Sequence, residues 1–182
     1  VGAGVNGGSN NVFVGAGAKP TGTTGSSANR VGIGKGATVG TNNYVTIGNG
    51  AITQIWLSLD KGAAVYGGSF NETSDLRTKD FINPFNIGLD YIKKLNPVTY
   101  NSLITEDGKL HVGLIAQDLV KVNNELDLSD DLFVNVPEDS NEMMSINYSK
   151  VVVPLINAVK ELSSEIDRLK SEIEQLKKES LK

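Results

Sequence analysis

The chain has 182 residues, a formal net charge of −4 and no cysteine. Its length suits one ordinary domain or two small ones, and 39% hydrophobic with 21% charged residues predicts a folded protein. The acidic balance excludes a general nucleic-acid binder. Missing cysteine excludes disulfide scaffolds, thiol nucleophiles and thiolate metal sites, and a single histidine cannot build a histidine-rich metal site. Neither metal nor cofactor is expected. No apolar run nears the ~20 residues needed to span a bilayer, so membrane insertion is not expected. No signal peptide is visible, and a start at Val1 instead of methionine reads as an excised fragment.

Of the 20 glycines, 17 lie in residues 1–73 and 3 in 74–182. Charge divides the same way: four basic and two acidic residues in 1–73, against 13 basic and 19 acidic in 74–182. Two modules are therefore expected, 1–73 and 74–182. The first carries a repeat. Val14-Gly15-Ala16-Gly17-Ala18 matches Ile33-Gly34-Lys35-Gly36-Ala37 and Ile47-Gly48-Asn49-Gly50-Ala51. Val1-Gly2-Ala3-Gly4-Val5 is a partial further copy, and the starts are 13, 19 and 14 residues apart. The long interval holds a turn-rich insertion, Lys19-Pro20-Thr21-Gly22-Thr23-Thr24-Gly25. A short alternating strand precedes each glycine turn, as in Asn11-Val12-Phe13-Val14 and Asn43-Tyr44-Val45-Thr46-Ile47. One such unit cannot bury its apolar side, whereas stacked copies can. These units resemble the stacked β-roll repeats of trimeric adhesin heads, which implies a trimeric β-solenoid or β-roll over 1–51. Gly2-Ala3-Gly4-Val5-Asn6-Gly7 formally matches a dinucleotide-binding turn. It is rejected, because that turn needs a strand before it and a helix after it.

Residues 52–59 read as a strand with Trp56 packing on it, broken by Gly67-Gly68-Ser69. Residues 85–95 carry helical spacing ended by Pro97. Val98-Thr99-Tyr100-Asn101 and His111-Val112-Gly113-Leu114-Ile115 read as strands around an Asp107-Gly108 hairpin turn. A short helix is expected from Ala116, then an acidic loop over 127–141.

The strongest periodic signal is C-terminal. Val152, Leu155, Val159, Leu162, Ile166, Leu169, Ile173 and Leu176 alternate spacings of three and four, a heptad seam. With Val159, Ile166 and Ile173 at a, the residues Leu162, Leu169 and Leu176 fall at d. Glu165 and Glu172 fall at g, with Lys170 and Lys177 at the following e positions, which suits parallel helices. A coiled-coil helix over about 151–181 is expected. Isoleucine at a with leucine at d favours dimers, the β-roll resemblance favours trimers, and a parallel homotrimer is the expectation. The fold class is α+β: a β-roll fibre end, then a mixed α/β domain ending in a long helix.

Ser74-Asp75-x-Arg77-x-Lys79 stands where the composition changes. It is followed by Leu95-Asn96-Pro97-Val98-x-Tyr100, by His111-Val112-Gly113-Leu114-Ile115-Ala116-Gln117-Asp118, and by Tyr148-Ser149-Lys150 leading to Pro154-Leu155. In order and spacing this resembles the peptidase S74 family, the C-terminal intramolecular chaperone domain of bacteriophage tail spikes, tail fibres and neck appendages. The resemblance implies a domain that trimerises the fibre in front of it, guides its folding, and then releases itself by serine autoproteolysis. The upstream fibre is then the folding client, and the full-length fibre meets a host surface receptor or glycan. The resemblance also implies a virion location, with the released domain left in the host cytoplasm.

It makes Ser74 the nucleophile and Lys79 its base. A lysine amine titrates near ~10.4 in water, so base work requires desolvation. His111 is a supporting candidate for orientation or proton transfer, although packing alone also explains a lone histidine beginning a strand. Gln117 is expected to hold the fold by side-chain hydrogen bonds. The family's junction is Ser74–Asp75. Attack by Ser74 on its own carbonyl would close a strained four-membered ring, so this cut needs another attacking group, such as Ser74 of the partner subunit. The alternative junction, Thr73–Ser74, is reachable within one chain by an N-to-O acyl shift. Two other readings use the same residues: a non-cleaving structural adhesin or fibre tip, and a self-cleaving membrane-tethered transcription factor. The second lacks a basic DNA-binding region and a membrane helix in this sequence.

Overall fold

The computed structural model describes residues 8–21, 28–55, 57–59 and 62–181. The chain divides into two compact units, Val1–Ala64 and Val65–Lys182. Overall it is a mixed α+β architecture of small sheets and one long C-terminal helix.

The first unit is built from short parallel rungs. Strands β1 (Val12–Val14), β3 (Val31–Ile33) and β5 (Val45–Ile47) form one parallel ladder, in the order β1-β3-β5. Strands β2 (Lys19–Pro20) and β4 (Thr38–Val39) form a second parallel pair. The register puts Val14 on Ile33 and Ile33 on Ile47, so the three Gly-Ala copies stack corner on corner. Alternation sends Phe13 inward, to a small core with Ala18, Ala37 and Val39. It leaves Val12, Val14, Ile33, Val45 and Ile47 about half exposed on the other face. The Val1–Val5 copy lies outside the described residues.

A second repeat underlies the first. Asn10, Asn29 and Asn43 each take positive φ, at 57°, 53° and 64°, just before a strand begins. Asparagine is the residue that best tolerates this conformation after glycine. Asn29 Nδ2 donates to Asn43 Oδ1 at 2.9 Å, linking adjacent rungs. The buried Arg30 also serves the stack: its Nε donates to Asn42 Oδ1 at 2.8 Å and its Nη1 to the Val39 carbonyl at 3.2 Å.

The corner glycines are required sterically. Gly34 has φ +111°, and a Cβ there would lie 3.3 Å from the Gly48 backbone. Gly48 has φ +84°, and its Cβ would collide with the Ile52 side chain. Gly34→Val or Gly48→Val should each cost about 1–3 kcal/mol from the left-handed backbone alone, read as a lower thermal midpoint. If both substitutions are silent, the corners are misassigned.

The expected strand over 52–59 is not formed in its described residues. Its described residues add no strand to the open outer edge of β5, and Ile52, Ile55, Leu57 and Leu59 stay exposed. Trp56 lies outside the described residues.

The second unit contains α1 (Leu89–Lys94), β6 (Val98–Asn101), β7 (Leu110–Gly113), α2 (Ala116–Glu125), β8 (Val134–Asn135), β9 (Ser145–Ile146) and α3 (Tyr148–Ser180). Strands β6 and β7 pair antiparallel, as do β8 and β9. The core is Tyr91, Leu119, Val122, Phe133 and Val134. The Phe133 ring centroid is 4.9 Å from that of Tyr91. Buried Asn123 is satisfied on both ends: it accepts from the Tyr91 hydroxyl at 3.0 Å and donates to the Ser129 and Asp130 carbonyls. Burial pushes the Tyr91 phenol up to about 12, so it remains the donor.

Three expectations change here. The 85–95 helix shrinks to α1 because Asn157 Nδ2 takes the Phe85 and Ile87 carbonyls, at 2.6 and 3.1 Å, while Glu161 Oε2 takes the Leu89 amide at 2.9 Å. The hairpin turn is wider than Asp107-Gly108, since Asn101 pairs with Leu110 across an eight-residue loop. Gly108 still supplies positive φ there, at +68°. The acidic stretch 127–141 is not all loop: Phe133 and Val134 enter the core and β8 pairs with β9.

Helix α3 has two faces. Pro154 and Ala158 are buried, and Asn157 and Glu161 on that side grip the approach to α1. The seam from Val152 to Leu176 is unused by its own unit, with its eight apolar residues 43–63% exposed. The helix starts ahead of Pro154, where Asn147 caps it by accepting from the Lys150 amide at 3.2 Å. Within this helix Glu165 and Glu172 both pair with Arg168.

Candidate active site

Ser74 and Lys79 are drawn together by a single tight turn. Asp75 caps the 3-10 turn Leu76–Thr78, its carboxylate accepting from the Arg77 amide at 2.9 Å and from the Arg77 guanidinium at 2.9 and 2.7 Å. The Thr78 hydroxyl and amide donate to the Asp75 carbonyl at 2.7 and 3.0 Å. The Lys79 amide then closes on the Leu76 carbonyl at 3.1 Å. The chain folds back over one turn, and Lys79 Nζ reaches Ser74 Oγ at 2.7 Å. The Arg77 guanidinium, and then its amide, hold the Asp75 carboxyl below the usual carboxylate range. Asp75 in turn raises Arg77. The whole stretch 71–80 is exposed, so water surrounds the pair in the single chain.

A hydroxyl within hydrogen-bond reach of an amine is the geometry of a base-activated serine nucleophile. The amine must shed a proton before it can accept the hydroxyl's, and desolvation favours that neutral form.

His111 is held by other groups. It is half-buried in β7, with its Nε2 3.2 Å from Asp107 Oδ1 and its ring stacked on Tyr100 at 5.5 Å. The Lys109 amide, followed by His111, lowers the Asp107 carboxyl. Gln117 is exposed at the start of α2. Thr73 is exposed beside Ser74.

Two residues to which the sequence assigns no role adjoin the junction. Ser149 Oγ, at the start of α3, donates to Glu72 Oε1 at 2.6 Å and lies at the same distance from Asn147 Oδ1. Glu72 is two positions before Ser74, but 77 residues separate it from Ser149. No local pattern announces such a contact.

Among the described residues, no helix is long and apolar enough to cross a membrane. A search of curated proteins finds no match to the chain. The family model described as Peptidase_S74: Chaperone of endosialidase matches residues 74–128, starting on the serine that receives the Lys79 hydrogen bond. It is a family of self-cleaving serine peptidases, and residues 74–128 of this chain belong to it.

Proposed function

We propose that this chain is the end of a viral tail fibre or spike joined to its own folding helper. Residues 74–182 trimerise the chains, guide the 1–73 fibre segment into a triple β-roll, and then detach by a single self-cleavage at Ser74. The observation that carries this reading is the 2.7 Å Lys79–Ser74 contact at the first residue of the matched domain.

The unused faces support the trimer. Fully burying an aliphatic side chain contributes ~1.5–3 kcal/mol, about half of which is left to gain on a seam 43–63% exposed, while an exposed helix ion pair contributes only ~0.3–0.5 kcal/mol. The apolar seam of α3 therefore drives association, and the g and e charges only bias its register. The exposed stripe of Val12, Val14, Ile33, Val45 and Ile47 suits burial against the same stripe of neighbouring copies. Rungs paired between chains are non-local and slow to register. A coiled coil holding three chains together raises their effective concentration and shortens that search. Cleavage then leaves the fibre trapped behind its unfolding barrier.

In the cleavage, Ser74 Oγ gives its proton to Lys79 Nζ and attacks a peptide carbonyl. The leaving amine takes that proton back, and water hydrolyses the resulting ester. At the Ser74–Asp75 bond the attacking hydroxyl comes from Ser74 of the partner subunit. At the Thr73–Ser74 bond it comes from the same chain. His111 acts only as support, through the β6–β7 hairpin. The full-length fibre carries the host receptor or glycan contact.

Native mass spectrometry of Ser74→Ala should give a homotrimer of uncut chains, and a cysteine introduced at the C-terminus of α3 should cross-link to its own copies, as parallel helices require. A monomer or a dimer, or a trimer whose C-termini do not cross-link, would contradict the proposal.

A further inference from the structure

We infer that the Ser149–Glu72 hydrogen bond is a positioning device for the cleavage junction, resting on the self-cleavage reading above. Ser149 sits in the first turn of α3, the helix that carries the seam. Its hydroxyl reaches the Glu72 carboxylate at 2.6 Å, two residues before the nucleophile. The cap residue Asn147 is itself fixed to the domain, its amide donating to the carbonyl of buried Phe133 at 2.8 Å. A connected path therefore runs from the core, through the helix start, to the segment entering Ser74.

The rest of that segment has little to hold it. Residues 65–73 form no helix or strand, and Tyr66 and Phe70 are 94% and 74% exposed. Among the described residues, the Ser149 bond is the hydrogen bond that ties 65–73 to the remainder of their unit. On the downstream side, the Asp75–Arg77 turn already orients Lys79. Ser74 thus has a rigid turn after it and one anchor before it. A nucleophile flanked this way loses fewer orientations on reaching its carbonyl, which is where positioning raises a rate.

The bond also crosses the cut. Glu72 belongs to the upstream product and Ser149 to the downstream one at either candidate junction. A Ser hydroxyl has one proton, so Glu72 and the Asn147 amide oxygen compete for it. Once the peptide is severed, the hydroxyl can return to the cap, and the anchor does not lock the products together.

The test compares cleavage rates of refolded full chains. Ser149→Ala and Glu72→Ala should each slow cleavage about ten-fold, as expected for one hydrogen bond to a charged group. The double variant should be no slower than either single one, because both remove the same contact. Ser149→Thr and Glu72→Gln keep a donor and an acceptor, and should restore most of the rate. All should remain trimers by native mass spectrometry. In an uncut Ser74→Ala background, Ser149→Ala should also hasten chymotrypsin cutting after Phe70 several-fold. Wild-type rates in both alanine variants overturn the positioning role and leave self-cleavage standing. Equal loss in Ser149→Thr and Ser149→Ala also overturns it, since that marks a packing defect. A wild-type chain that never cleaves overturns both readings, and the chymotrypsin comparison then reports only whether the anchor exists.

Discussion

Ser74→Ala should abolish self-cleavage and leave assembly intact. The hydroxyl is the only nucleophile that the turn presents to Lys79, and Ser74 lies far in sequence from the α3 seam. Lys79→Ala should slow cleavage by about 10²–10⁴-fold, the usual contribution of a positioned general base. Lys79→Arg should do no better. A guanidinium can still donate toward Ser74 Oγ, but it stays protonated and cannot accept the hydroxyl's proton. His111→Ala should cause only partial loss, because His111 touches Asp107 and Tyr100. Once trimers exist, the wild-type rate should not depend on protein concentration, since every reacting group is within one particle. The time course of intact chain on denaturing gels checks the cleavage rates, and native mass spectrometry checks assembly. A Ser74→Ala protein cut at the same bond would remove serine catalysis from the account.

The second large effect concerns α3. Ending the chain before Ser163 removes Ile166, Leu169, Ile173 and Leu176, half of the seam, but keeps the Asn157 and Glu161 contacts that organise α1. The domain should still fold, and trimers should not form. Freshly made chains should then aggregate, because the apolar stripe of Val12, Val14, Ile33, Val45 and Ile47 stays open to water. Removing the same residues from an already matured fibre should have little effect. Light scattering during refolding separates the two cases, and a truncated chain that trimerises normally would show that the seam is dispensable.

The legible parts of this fold are those with a period or a fixed spacing. The heptad seam stands out because eight apolar residues repeat over helical turns, with only polar residues between them from Lys160 onward. The glycine corners stand out because the same five-residue pattern recurs, and their stacking follows in the parallel register of β1, β3 and β5. The Ser74–Lys79 pairing is implied by the family resemblance and not by the spacing of two residues, and the cause of their contact, the Asp75–Arg77 clamp, shows only in three dimensions. Contacts distant in sequence are hidden. Asn157 and Glu161 shorten α1 from 70 to 72 residues away, and Ser149 reaches Glu72 across 77. Phe133 and Val134 are core residues inside an acidic stretch, where so short an apolar run carries no period. The apparent strand over 52–59 has β-forming residues, but its described residues pair with no strand.

Intact mass under denaturing conditions, taken after refolding with no added protease, tests the central claim most directly. Self-cleavage at Ser74–Asp75 predicts two pieces of 74 and 108 residues, and cleavage at Thr73–Ser74 predicts 73 and 109. A single uncut mass of 182 residues, persisting in fully assembled trimers, would contradict self-release and leave the chain as a structural fibre tip.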